Sequence, residues 1–174
     1  EEFLRFVSDI KPTWFLFENV YGLTKFKNGD ENIQDHIEDR FRELGYTVNS
    51  SVLYASDYGV PQRRNRLFIV GNKNGIKFEF PEKFNYTVSV DDAFEDLPIL
   101  TNGEVQMIGE YRMPFEDASE YAKLMRVHSK APTQNIVSRN KEYVVERYKY
   151  IKEGENWAAF PDHLMQNYAD KGRC

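Results

Sequence analysis

Two short stretches carry the side chains with chemistry to offer. In "WFLFENV", Glu18 and Asn19 follow directly on an apolar run at residues 14–17. In "DYGVPQRRNRLFIVG", residues 57–71, Gln62, Arg63, Arg64 and Arg66 stand between a Gly-Val-Pro turn and a second apolar run at residues 67–70. A carboxyl group can accept a hydrogen bond or supply a proton. Arginine offers a rigid fork of donors suited to phosphates and to the planar edges of bases, and glutamine both donates and accepts. Each feature also has a plainer explanation. Many strands end in a polar residue, so Glu18 taken alone is better read as a strand-terminal acid that caps a loop or helix. Arginines beside an edge strand resist aggregation.

The elements around these residues bring the two stretches together. Residues 14–17 read as a strand covered on both faces in a parallel sheet, within an expected strand at 12–18. The "NGD" loop follows, with Asp30 as an expected helix N-cap. Ile33, Ile37, Phe41 and Leu44 line one helix face, and Gly45 ends that helix. Residues 46–56 read as the next strand and 66–71 as a third. The connection between these two is too short for a crossover helix, so they must be antiparallel. The start of an antiparallel strand lies beside the ends of its parallel neighbours. Glu18 and Arg66 are therefore expected at the same sheet edge, where open α/β folds bind ligands.

Composition sets the limits. The chain has 174 residues, 41% of them hydrophobic and 15% aromatic, enough for a real core with packed strands and loops. Its formal charge of −5 is not the overall signature of a nucleic-acid binder, so any basic site must be local. Cys174 is the single cysteine, which excludes a disulfide within the chain and fits a reducing, cytoplasmic setting. No apolar stretch has the length of a membrane span, and no signal peptide is visible. His36, His128 and His163 are far apart and lack ligand spacing, so no metal is expected. The chain begins inside a helical pattern, with Phe3, Phe6, Val7 and Ile10 at helical spacing up to Lys11-Pro12. It stops without a closing element, and it is read as a piece of a longer protein.

Beyond Asn72 the pattern loosens. "DDAFEDLP" and "SEYAKLMR" suggest short helices, the second capped by Ser119, and residues 141–153 a third with Val144, Tyr148 and Ile151 on one side. The remainder from Asn156 is polar and irregular. A boundary falls near residue 85, giving an α/β part over residues 1–85 and a looser α+β lobe over 86–174.

"KPTWFLFENVYGL" and "DYGVPQRRNRLFIVG", in this order and at this spacing, resemble two blocks of the C5-cytosine DNA methyltransferases. The later "RYKYIKEGENWAAFPDHL" resembles the stretch that leads into that family's target-recognition region. The resemblance implies a partial Rossmann-like methyltransferase sheet with a final antiparallel strand, inserted between the other two. Residues 1–85 would then be the C-terminal half of the catalytic domain and residues 86–174 the start of the target-recognition region.

It also implies a reaction. A cytosine is flipped from double-stranded DNA, a cysteine thiolate attacks C6, an acid protonates N3, and C5 takes a methyl group from S-adenosylmethionine. By resemblance Glu18 is that acid, and Asn19 shapes its loop. Arg66, with Arg64, holds the cytosine O2 or a nearby phosphate. Gln62 orders the loop or reaches DNA. Arg63 faces away by strand alternation. The family's Pro-Cys block and glycine-containing cofactor loop are expected before Glu1 and its last blocks after Cys174, which does not match the nucleophile's context. The chain alone is therefore expected to be inactive, and to self-associate through surface that truncation exposes. An RNA cytosine-5 methyltransferase and a non-catalytic α/β nucleic-acid-binding module are the competing readings. A long lobe after residue 85 favours DNA over RNA.

Overall fold

The computed structural model describes residues 2–165. Tertiary contacts divide the chain into two compact units, Glu1–Ala93 and Phe94–Cys174. Cys174 lies outside the described residues. No helix among the described residues is long and apolar enough to cross a membrane.

The first unit opens with helix α1, Glu2–Ile10. Pro12 disfavours helical geometry at Lys11, which turns into the left-handed region at φ 52°. Strand β1, Trp14–Val20, then runs two residues further than its pattern suggests. A two-residue hairpin, Lys27–Asn28 with Glu31–Asn32, intervenes before helix α2. Asp30 therefore does not cap α2. Gly29 takes φ 67° at the hairpin turn, and the helix starts only after the return pair. Its N-cap is Asn32, whose side chain accepts from the Gln34 N–H at 2.8 Å and donates to the Thr24 carbonyl. Helix α2 spans Ile33–Glu43, and Gly45 closes it at φ 84°.

Strands β2, Thr47–Tyr54, and β3, Asn65–Asn72, complete a three-stranded sheet of order β1-β3-β2. β3 is antiparallel to both neighbours and lies between them, as the short connection and the family resemblance require. Being central, β3 is buried on both faces: Leu67, Ile69 and Val70 are all within the core.

Helices α1 and α2 cover one face. Val7, Phe15, Phe41, Tyr46, Leu67 and Ile69 form its core, with the Phe15 ring 4.2 Å from Phe41 and 5.1 Å from Tyr46. The Tyr46 hydroxyl donates to the Pro12 carbonyl at 2.8 Å, which ties the end of α1 to the sheet. The expectation that β1 is covered on both faces is not met. Trp14 is 41% and Leu16 58% exposed, and among the described residues β1 pairs only with β3, antiparallel. The second face is met by residues 76–80: Phe78 donates its N–H to the Asn49 side chain and packs edge-on to Trp14.

The segment after β3 stays with the first unit. Fully buried Asn72 holds it, donating to the Ile76 carbonyl and accepting from the N–H groups of Asn74 and Ile76. Helix α3, Val90–Phe94, follows.

The second unit contains a short antiparallel pair, β4 (Val105–Ile108) with β5 (Thr133–Ile136), and two helices. Helix α4, Glu120–Arg126, is capped by Ser119 as expected. Helix α5 is Glu142–Tyr148, shorter than the 141–153 expected. Lys149, Tyr150 and Ile151 bond back by three residues rather than four, so the helix tightens and stops. Two largely buried arginines organise this unit. Arg126 pairs with Asp96 at 3.4 Å and lies 3.8 Å over the Tyr111 ring. Arg147 donates to the Leu164 carbonyl at 2.6 Å and lies over Tyr143 and Phe160.

Gly71 sits where β3 passes Phe15. A Cβ there would lie 2.1 Å from the Phe15 ring. Gly71→Ala should therefore destabilise the fold by about 1–3 kcal/mol through overpacking, measured as a fall in the urea midpoint with an unchanged slope.

Candidate functional site

The register of β1 against β3 builds the site. Glu18 stands opposite Phe68, and Val20 opposite Arg66. On the other side of β3, Leu53 stands opposite Arg66. Opposed residues share a face and side chains alternate along a strand, so Glu18, Leu53, Arg66 and Phe68 emerge together. They leave the sheet on the face away from Phe15, Leu67 and Ile69. Arg66 reaches diagonally across the strand pair, and its Nε lies 2.9 Å from Glu18 Oε1. Its Nη1 donates to the carbonyl of Asn65 at 2.8 Å. The pair is open to solvent, with the Glu18 side chain 43% and that of Arg66 22% exposed. It borders a depression of about 270 Å³ that also takes in Ala55, Tyr58, Arg64 and Phe68.

The turn between β2 and β3 shapes the rest. Its first part is a 3-10 turn, Ala55–Tyr58, ended by Gly59 at φ 72°. The Arg64 carbonyl accepts from the Ala55 N–H at 2.8 Å, and the Gln62 carbonyl accepts from the Arg64 N–H at 3.0 Å. These nested bonds place Arg64 on the depression with Arg66. Arg63, one residue before Arg64 and opposite in alternation, is exposed and does not line it. Gln62 does not line it either. Asn19 is occupied locally, its Oδ1 accepting from the Val20 N–H at 2.8 Å.

A second segment braces this turn. Lys83 Nζ lies 2.7 Å from Asp57 Oδ2, and that carboxylate, through its hydrogen bond, holds the Lys83 ammonium above the usual lysine range. The Phe84 N–H donates to the Asp57 carbonyl at 2.9 Å, and the Tyr58 hydroxyl donates to the Pro81 carbonyl at 3.2 Å. Phe84 and Tyr86 stack at 5.2 Å. The sequence reading missed Tyr58, Leu53 and Phe68 as lining residues. Leu53 and Phe68 were open to inference from strand parity once the register was assumed. The brace leaves no periodic signal.

Among the described residues no group of three or more His, Cys, Asp or Glu could hold a metal ion. The depression offers one acid and two guanidiniums on largely apolar walls, which suits a flat, polar-edged, uncharged ring.

The family model for C-5 cytosine-specific DNA methylase matches residues 1–172. The chain belongs to the C-5 cytosine-specific DNA methylase family. It is 32% identical over 181 residues to the type II methyltransferase M.DdeI of Desulfomicrobium norvegicum, an alignment covering 99% of this chain and 42% of that protein. It is 43% identical over 94 residues to the type II methyltransferase M.MthTI of Methanothermobacter thermautotrophicus, covering 53% and 28% respectively. A solved structure, a putative DNA modification methyltransferase encoded within a prophage (E. coli), matches with a TM-score of 0.58 at 24% identity, over 88% of this chain and 50% of that one. This last likeness speaks for the α/β methyltransferase fold. The chain thus spans less than half the length of the two curated relatives.

A methyltransferase of this family implies S-adenosylmethionine. The depression does not fit it: a sulfonium cation would meet Arg64 and Arg66, with the one acid already paired to Arg66.

An exposed ion pair contributes little to folding. Glu18→Gln should accordingly change the unfolding free energy by less than about 1 kcal/mol, read from urea denaturation. A loss of several times that size would make Glu18 a structural acid.

Proposed function

We propose that the whole protein is an S-adenosylmethionine-dependent DNA cytosine-5 methyltransferase acting in the cytoplasm, and that Glu18, Arg64 and Arg66 hold its target cytosine. The observation that carries this reading is the Glu18–Arg66 pair, 2.9 Å apart over an open depression at the sheet edge. An acid and a fixed cation at that separation match the adjacent N3 and O2 positions of a cytosine edge. The family's description, C-5 cytosine-specific DNA methylase, supports a DNA substrate. Residues 86–174 would be the start of the region that chooses the DNA target.

The base must leave the duplex to reach the depression. Arg66 donates to O2 and withdraws electrons from the ring. Glu18 faces N3 and shares a hydrogen-bonded proton with it. When a thiolate forms its bond to C6, the ring electrons move toward N3, and N3 takes the proton from Glu18. C5 is left electron-rich, and S-adenosylmethionine held elsewhere in the whole protein would supply its methyl group. A base elsewhere in the whole protein would take the C5 proton, loss of the thiolate restores the aromatic ring, and N3 returns its proton to Glu18. Arg64 steadies O2 or the neighbouring phosphate. Asn19 keeps the end of β1 in shape, and Gln62 orders the turn or reaches DNA.

In the whole protein, Glu18→Gln should lower the single-turnover methylation rate by about 10²–10⁴-fold with DNA binding largely retained. The amide still hydrogen-bonds near N3 but has no proton to give. Arg66→Ala should weaken retention of the base as well as slow the chemistry, and Arg63→Ala should be the mildest of the three. Gel-shift affinity beside rapid-quench methylation separates these outcomes. A wild-type rate in Glu18→Gln would reduce Glu18 to a strand-terminal acid.

A further inference from the structure

The polar groups of the depression account for one edge of a bound ring and leave its faces unassigned. Glu18, Leu53, Arg66 and Phe68 rise from the sheet and form a floor. Tyr58 comes from the turn beyond β2, so it stands at the side of that floor. Its hydroxyl is committed to the Pro81 carbonyl at 3.2 Å, and Pro81 does not line the depression. Tyr58 therefore brings carbon surface, not a hydrogen bond, to whatever binds there.

The tyrosine is also held unusually firmly for a surface turn. Asp57 is gripped twice, by Lys83 through an ion pair at 2.7 Å and by the Phe84 N–H at 2.9 Å. Tyr58 meets the Phe84 ring edge-on at 6.4 Å. A Cβ on Gly59 would lie 3.3 Å from Phe84. Asp57 and Tyr58 are thus held by one brace, packed close to Gly59, whose own residues, Lys83, Phe84 and Tyr86, remain exposed. Burial of the brace does not explain the arrangement, whereas immobilising Tyr58 does. A rigid aromatic ring takes a stacked base at little entropic cost.

We propose that Tyr58 is a binding residue for the target base, packing on the flipped ring, and that Lys83 and Phe84 are positioning residues that act through Asp57 and Tyr58. This rests on the reading of Glu18 and Arg66 as a cytosine site. The Asp57–Lys83 pair then serves the pocket rather than the stability of the fold.

The test uses the whole protein and two duplexes. One carries the sequence that bisulfite sequencing shows the wild type to methylate. The other is identical but has a tetrahydrofuran abasic sugar in place of the target cytidine. Tyr58→Leu should bind the cytosine duplex about tenfold more weakly than the wild type, as expected for losing one base–aromatic contact. It should bind the abasic duplex as the wild type does. Tyr58→Phe keeps the ring and should match the wild type on both. Lys83→Met should show the same base-dependent loss in smaller measure. An equal loss on both duplexes, or no loss on either, overturns the assignment, and the abasic arm exposes a variant that merely fails to fold. Wild-type protein that methylates no cytosine would instead bring down the reading of the site itself, and this inference with it.

Discussion

Everything at the site depends on one register. β3 pairs with β1 so that Val20 faces Arg66, and with β2 so that Leu53 faces Arg66. A slip of one residue in either ladder would turn Arg66 into the aromatic core and push Leu67 into solvent. The core forbids this. Leu67 and Ile69 are fully buried against the helices, and their loss from that face would cost several kcal/mol by burial alone. The hydrophobic packing on one face of the sheet thereby fixes a polar arrangement on the other. The Glu18–Arg66 pair need contribute nothing to stability to be accurately placed.

The fold of the first unit was largely open to reading because its signals are local and periodic. The apolar runs at residues 14–17 and 67–70 marked strands. The short link across Gly59 and Pro61 forced β2 and β3 to be antiparallel, and Gly45 ended α2. The meeting of Glu18 with Arg66 followed from strand direction alone. Other features resisted for equally physical reasons. Trp14 and Leu16 looked like a doubly covered strand, yet α1 and α2 cover only one face. Composition does not say which side a neighbour occupies. Asp30 was a sound cap by type, but Gly29 made it part of a hairpin turn.

The brace over Tyr58 and the β4–β5 pair were harder still. Lys83 reaches Asp57 across twenty-odd residues of irregular chain, and nothing in "FPEKFNY" announces it. β4 and β5 are four residues each, with mixed polarity, too short for a period to emerge. In the second unit the organising groups are Arg126 and Arg147, both largely buried and both lying over aromatic rings. Arginine on its own in sequence reads as surface. Stacking on Tyr111 or Tyr143, together with the Asp96 pair and the Leu164 carbonyl, makes its burial affordable.

The close passage of Phe15 over Gly71 has a consequence for how this chain can vary. The two positions behave as a single volume shared between neighbouring strands, since almost all of it is taken by one ring. Drift at either position is therefore conditional on the other. A side chain acquired at position 71 is tolerable only after position 15 has shrunk, and a smaller residue at position 15 leaves a hollow that also touches Phe41 and Tyr46. Among sequences sharing this fold, the identities at these two positions should be correlated in size, and the residues at positions 41 and 46 should follow them.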